Sequence, residues 1–452
     1  MRPLKQFLLA FASIGLVAAA PTEADVAAVR FYVVSNRAYT PAARAAALRA
    51  VERLPALLDD PARFELEAAH IAALADNGHS ALLPPQWATR HPRSPVHLGL
   101  FADGLYVVAA PPDQARLLRR RVVAINGQPW QEVRRAYARY QGGEQAFRDQ
   151  FVTLFMETPA LLVAAGFGAE PDRLRLTVEG PRKRLETVSI AARLTPPEGE
   201  AAFVGSPMLL DAAGLLPPAA RPLYLREPDR PFRLAFPSGL DAAYVRLNAT
   251  RGLGIDAFLT ASLDALRARR PRNIVIDLRF NLGGDLNLIR EFMQALPGLA
   301  QGGHVYAVTS GRTFSAAIAG LGYLRQAGGD RVVIVGEPIG DRLEFWAEGE
   351  FVPLPNLGVL MLYADERHNY VTGCPEEDCH RSIRSHPIRV TTLQPDLPAP
   401  LRFADFIAGR DPAMDAIARD IARNRPRLPY AELSLGSEIG ESRRISGIAL
   451  RR

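Results

Sequence analysis

Lysine is nearly absent from this chain of 452 residues: of its 54 basic side chains, only Lys5 and Lys183 are lysines. Lys5 belongs to an N-terminal apolar segment, and Lys183 sits in the turn "GPRKR", where flanking arginines and water keep an ammonium protonated. Any nucleophile in this protein must therefore look elsewhere for a base. Cysteine is almost as scarce, with Cys374 and Cys379 as the two instances, both in "TGCPEEDCHRS". Long apolar runs are missing beyond the N-terminus, and none approaches the roughly eighteen residues that a membrane span requires. Charge of one sign is not concentrated either. The net charge of +6 comes from arginines scattered among acids, without a basic and aromatic stripe, so a nucleic-acid partner is not expected.

What is present at the N-terminus is export grammar. Arg2 and Lys5 precede the apolar "FLLAFASIGLVAAA" and small residues before "PTEAD", so residues 1–24 read as a signal peptide and the mature chain as secreted or periplasmic. In an oxidising compartment the short segment between Cys374 and Cys379 suggests a disulfide-closed loop. A zinc site completed by His380 and His386 is the competing reading of those cysteines, although the spacing matches no familiar zinc pattern.

A chain of this length exceeds one core. Residues 25–97 hold alanine-rich amphipathic stretches such as "PAARAAALRAVERLPALL", a helical N-terminal domain. Residues 98–195 change to short strands, with Asn126-Gly127 as a tight turn and the hairpin "LRLTVEGPRKRLETVSIAARL". Residues 196–237 are a proline-rich linker or irregular wrap, and 426–452 a C-terminal tail. Between them, residues 238–425 alternate apolar strands ("AAYVRLN", "NIVIDLRF", "HVYAVTS", "RVVIVG") with helices, the pattern of a sheet covered by helices.

Chemistry concentrates in that last region. Ser315 in "TSGRTFSAAIAGLGYL" follows a strand and opens a helix, where free N–H groups and the helix dipole favour an anion. The same small residues also suit close helix packing. Gly283-Gly284 in "NIVIDLRFNLGGDLN" end a buried strand and expose backbone N–H groups to an approaching carbonyl oxygen, although a paired glycine is often a plain turn. With lysine unavailable, histidine is the base to look for. Of the eight histidines, His79 in "ALADNGHSALLPP" stands apart, presented by Asn77-Gly78 beside an apolar segment.

Taken together, these pieces resemble the tail-specific or C-terminal processing proteases, peptidase family S41, in the tricorn-like branch that uses Ser and His. "NIVIDLRFNLGGD", "TFSAAIAG", "RVVIVGEPIGD" and "LQPDLPAPLRFADFIAGRDPAMDAIA" match that family's segments in order, and "NGHS" stands where the branch carries Asp-Gly-His-Thr. The resemblance implies a mixed α/β fold with a crotonase/ClpP-like core and a PDZ-like module in "GLYVVAA...RRRVVAINGQPWQEV". It implies a serine endopeptidase acting on peptide or protein substrates with no metal or other cofactor. Ser315 would be nucleophile, His79 general base, and the N–H groups of Ala316 and Gly283 or Gly284 the oxyanion hole. The family's orienting acid is not found in its usual place, since "RSHPIRVTTLQPD" has no acid before the Pro-Asp element, leaving Asp76, Glu337 or Glu366 as candidates. Asn77 replaces the signature's Asp, and Leu282 interrupts its run of Gly or Asn. A catalytically dead relative that binds peptides or apolar ligands in the same cleft is the alternative; acyl-CoA chemistry of the crotonase type is disfavoured by export.

The scarcity of lysine generates the first prediction. Lys183→Met should leave turnover near wild type and change stability by about 0.5 kcal/mol at most. Turnover reduced to a few per cent in a folded variant would make lysine the base.

Overall fold

The computed structural model describes residues 20–194 and 212–424. Most of the expected leader, the stretch 195–211 and the expected tail lie outside the described residues. No helix among the described residues is long and apolar enough to cross a membrane.

The first helix, Glu23–Ser35, is set by Thr22: its hydroxyl accepts from Ala24 N at 3.2 Å while the Asp25 carboxylate accepts from Thr22 N at 2.8 Å. Residues 22–24, assigned to the leader by the sequence reading, are therefore part of the fold. Asp25 is buried and also accepts from Asn356 N at 3.0 Å, which joins this helix to the hairpin of Phe351–Leu354 and Val359–Leu362. Helices Pro41–Val51 and Pro61–Ala73 each begin with proline behind a capping side chain, Thr40 or Asp60.

These helices do not bury a core of their own. Val29, Tyr32, Phe64 and Ile71 belong to the same apolar cluster as Leu98, Leu105, Val122 and Leu176 from an antiparallel sheet. That sheet runs in chain order through His97–Phe101, Gly104–Ala109, Arg121–Ile125, Arg173–Glu179 and Leu185–Ala191. Asn126 and Gly127 adopt φ of 48° and 83°, the left-handed pair that a tight hairpin turn demands. Lys183 occupies the exposed tip between the last two strands.

The second body is a six-stranded sheet in the spatial order Phe232–Ala235, Ala242–Leu247, Asn273–Asp277, Val305–Thr309, Val332–Gly336, Leu397–Pro398. All neighbours pair in parallel except the first pair, which is antiparallel. Strands buried on both faces explain their unbroken apolar sequences. Helices Ile255–Arg269, Leu286–Leu299 and Ala316–Gly328 cover one face, and Pro412–Arg423 packs Ala413, Ile417 and Ile421 on the other. This is the mixed α/β architecture that the alternating pattern implies.

Two buried arginines organise the rest. Arg246 donates to the carbonyls of Tyr224, Arg226, Glu227 and Arg230 at 2.6–3.3 Å, so the described part of the proline-rich stretch wraps around a guanidinium. Arg279 donates Nε to Asp277 at 3.0 Å and forks onto both Asp411 oxygens at 3.1 and 2.9 Å, with its guanidinium 4.2 Å from the Tyr224 ring centre. Asp411 in turn caps Pro412–Arg423 by accepting from Ala413 N. Removing one partner leaves a buried uncompensated charge. Asp411→Ala should therefore lower the unfolding free energy by about 3–5 kcal/mol in a denaturant titration, with a surface change such as Asp264→Ala as control.

Candidate active site

Ser315 is the residue on which strand Val305–Thr309 turns into helix Ala316–Gly328, and it sits at φ 55° and ψ −125°. A side chain at such a φ costs on the order of 1–3 kcal/mol and persists only where its surroundings hold it. Here they do. Phe314 N donates to Asn281 O at 3.0 Å, Thr313 Oγ1 to Leu278 O at 3.0 Å, and Ser310 N to Thr313 Oγ1 at 3.0 Å. The following helix is buried from Ala316 to Leu324, which anchors the far side of the turn.

Gly283 and Gly284 lie against this turn at φ 99° and 144°. A Cβ on Gly283 would come within 2.6 Å of the Ser315 Cβ and 2.9 Å of Ala316 N, and one on Gly284 within 2.4 Å of Thr250 O. Both positions therefore require glycine. The Gly283 N–H is engaged, donating to the Asn281 side chain at 2.9 Å. Among the hydrogen bonds of the described residues, none engages the N–H of Gly284 or of Ala316. Those two are the donors open to an oxyanion.

His79 reaches the same region from the N-terminal helices. Asn77 pins its loop to strand Glu344–Ala347, accepting from Trp346 N at 3.1 Å and donating to Trp346 O at 3.0 Å. An aspartate could not donate the second bond, which accounts for asparagine at this place in the motif. Gly78 admits the Phe314 ring, which a Cβ there would meet at 2.8 Å. The His79 ring then lies near-parallel between Phe314 and Phe345, with centroids 4.2 and 5.3 Å away. Phe314 is the residue before Ser315, so the stack brings the imidazole to the Ser315 turn.

A carboxylate not named from the sequence lies beside His79, within ion-pair rather than hydrogen-bond distance, and both ring nitrogens are buried without a hydrogen-bond partner. Asp341 Oδ2 is 3.7 Å from His79 Nδ1, and its side chain is 1% exposed, while its Oδ1 accepts from Arg342 N at 2.9 Å. The three carboxylates named from the sequence are committed elsewhere. Asp76 pairs with Arg342 at 2.8 Å in water. Glu337 accepts from Leu401 N at 3.0 Å, and burial pushes its carboxyl above the ordinary range. Glu366 lies 3.6 Å from His380 Nε2. Asp341 ends the segment "RVVIVGEPIGD", and only the fold sets it beside His79.

Cys374 and Cys379 are joined in a disulfide, with Cα atoms 5.7 Å apart, so neither is free as a thiolate ligand. His386 serves through its backbone carbonyl, which accepts from Tyr323 Oη at 2.9 Å. A cavity of about 610 Å³ between the antiparallel sheet and the parallel one is lined by Phe101, Arg134, Arg279, Phe280 and Glu337. Ser315 and His79 are not among its lining residues, but Ser310 and Gly311, which lead into the Ser315 turn, are.

No protein-family model matches the sequence. Nor does any curated protein. Solved structures do. A CPAF mutant superposes at a TM-score of 0.56 with 11% identity over 89% of this chain and 98% of its own. Mature CPAF complexed with lactacystin gives 0.54 at 11% identity, over 88% and 96%. The photosystem II D1 C-terminal processing protease is matched over 88% and 96% at 11% identity, with a TM-score of 0.40. At such identities it is the fold alone that is shared, and with CPAF it is shared over nearly the whole of both chains.

The strained turn can be tested by stability alone. Glycine tolerates φ 55° where alanine does not, so Ser315→Gly should be more stable than Ser315→Ala by about 1 kcal/mol in matched denaturant titrations. Equal stabilities would mean that the turn carries no strain.

Proposed function

We propose that the chain is an exported serine endopeptidase of the tail-specific type. The observation that carries this reading is the meeting of three separate segments at one turn: the strained Ser315, the glycines pressed against it, and His79 stacked on the adjacent Phe314 with a buried carboxylate behind it. Packing alone calls for none of these together, and acyl transfer calls for all of them.

In this mechanism Ser315 Oγ attacks the scissile carbonyl carbon of a bound peptide. Asp341 holds the proton on His79 Nδ1, which leaves the Nε2 lone pair to take the Ser315 proton. The carbonyl oxygen becomes an oxyanion and accepts from Ala316 N–H, at the positive end of its helix, and from Gly284 N–H. Collapse of the tetrahedral intermediate breaks the C–N bond, and His79 returns the proton to the leaving amine. Water then attacks the acyl-enzyme under the same base and releases Ser315. Phe314 and Phe345 restrict the imidazole to in-plane motion, so the ring keeps its orientation through both proton transfers.

The antiparallel sheet is proposed as a PDZ-like module, with the cavity between it and the core as the place where a peptide segment is held before cleavage. Export follows from the N-terminal sequence and suits the disulfide. CPAF has been solved with lactacystin. The same compound is a reasonable first probe of the site here.

A serine-reactive phosphonate should label the wild-type protein once and fail to label Ser315→Ala. His79→Ala should lose nearly as much turnover as Ser315→Ala, and the double variant little more, because residues acting as a unit are not additive. Asp341→Asn should lower kcat by about 10²–10⁴-fold while retaining phosphonate reactivity at a reduced rate. Full activity in Ser315→Ala, or losses that multiply in the double variant, would refute the assignment.

A further inference from the structure

Beyond the nucleophile turn, the ring column continues to a second cluster that the proposed peptidase mechanism does not use. Behind Phe345, at 5.0 Å, lies the His368 ring, and at 5.2 Å beyond it the ring of His380. Glu348 joins them. One ligand-capable atom of each of Glu348, His368 and His380 lies within 4.8 Å of the other two, and His368 Nε2 is 3.5 Å from Glu348 Oε1. We propose that Glu348, His368 and His380 form a binding site for a divalent transition-metal cation of the zinc class.

Four features of the cluster fit such an ion. His368 is 2% exposed, and its Nε2 is a buried nitrogen without a hydrogen-bond partner. A buried nitrogen in that state forfeits the hydration that it had in the unfolded chain, and a metal ion restores the missing partner. The other nitrogen, Nδ1, is 3.0 Å from Tyr370 Oη. A proton on Nδ1 directed at that oxygen leaves the Nε2 lone pair facing Glu348, which is how an outer partner fixes the tautomer of a metal-binding histidine.

His380 shows the same design with a carboxylate. Its Nε2 lies 3.6 Å from Glu366, whose Oε2 is itself buried and unpartnered, and its Nδ1 is buried and unpartnered as well. One separation also suits the ion. Ligand atoms about 2.0–2.1 Å from a tetrahedral zinc are about 3.3–3.4 Å from each other, close to the 3.5 Å between His368 Nε2 and Glu348 Oε1.

The backbone supports the third ligand and the second. Glu348 takes φ 57°, uncommon for a glutamate, directly after strand Glu344–Ala347, and this turns its side chain back toward His368. His380 follows Cys379, and the 374–379 disulfide ties its loop to the strand that carries His368 through the Arg367–Cys379 bridge. Because the cysteines are bonded to one another, the donor set is two imidazoles and one carboxylate, with water available for the fourth place. That set selects zinc and its neighbours over calcium or magnesium, which prefer all-oxygen cages.

The test uses the full chain with its disulfide intact, stripped with a chelator and titrated with Zn²⁺ alone by calorimetry. The expected result is one equivalent bound, with a rise in melting temperature that follows the zinc concentration. Glu348→Gln and His380→Ala should each weaken binding at least tenfold. His368→Gln should abolish it. Since His368 is buried and its replacement risks the fold, the exposed Glu348 keeps the test decisive. Cobalt offered in place of zinc should give a spectrum without thiolate-to-metal charge transfer. Absence of stoichiometric zinc binding, affinity unchanged in both Glu348→Gln and His380→Ala, or a thiolate band with cobalt would each overturn the proposal.

Discussion

One buried guanidinium holds the parallel-sheet half of this molecule together. Arg279 emerges from strand Asn273–Asp277 and satisfies its fork on Asp277 and Asp411 with Tyr224 beneath it. A charge in such a place is tolerable only when every donor is met, so the three chain segments that meet it have little freedom to move. The consequences run outward. Asp411 caps the helix that covers one face of the sheet, and Tyr244 donates to the other Asp277 oxygen at 2.8 Å. Two residues past Arg279 the chain enters the turn of Asn281–Gly284, whose position against Ser315 is what makes that turn chemically interesting.

The second constraint is strain held in place by packing. Ser315 sits at a φ that its side chain disfavours, between a buried strand and a helix buried along its first nine residues. Close approach of Gly283 leaves no room for a relaxed alternative. Rings from distant parts of the chain then extend the arrangement. Phe147 stacks on Phe314 at 4.1 Å, Phe314 on His79, His79 on Phe345, and Phe345 on His368. The His79 imidazole is thus one layer in a column that starts at Phe147 and ends at His380, beside the disulfide-closed loop. That shared column also explains why the N-terminal helices and the antiparallel sheet, expected as separate modules, bury one common core that includes Phe314.

Much of this was legible in the residues. Apolar strands alternating with helices predicted a helix-covered sheet because burial on both faces leaves no polar alternation. The scarcity of lysine favours histidine as a base, the resemblance of "NGHS" to the tail-specific protease signature singles out His79, and Gly283-Gly284 marks a backbone that comes close to something. Residue chemistry within one segment is local, so it can be read locally. Asp341 shows the limit. It lies in the segment "RVVIVGEPIGD", yet the sequence offers Asp76, Glu337 and Glu366 equally well, because nothing in a linear string says which acid a loop 262 residues away will face.

The sequence by itself therefore determined the kinds of groups available: a serine at a strand-to-helix turn, paired glycines, eight histidines against two lysines, an apolar N-terminal segment and two cysteines close together. It also determined the order of strands and helices, since periodicity and capping are properties of neighbours. Only the tertiary structure decided which groups meet. The Asp341–His79 approach, the ring column and the cluster of Glu348, His368 and His380 all join residues from different segments, and their geometry follows from the packing of two cores around one buried arginine. Such contacts depend on distances that no spacing along the chain encodes.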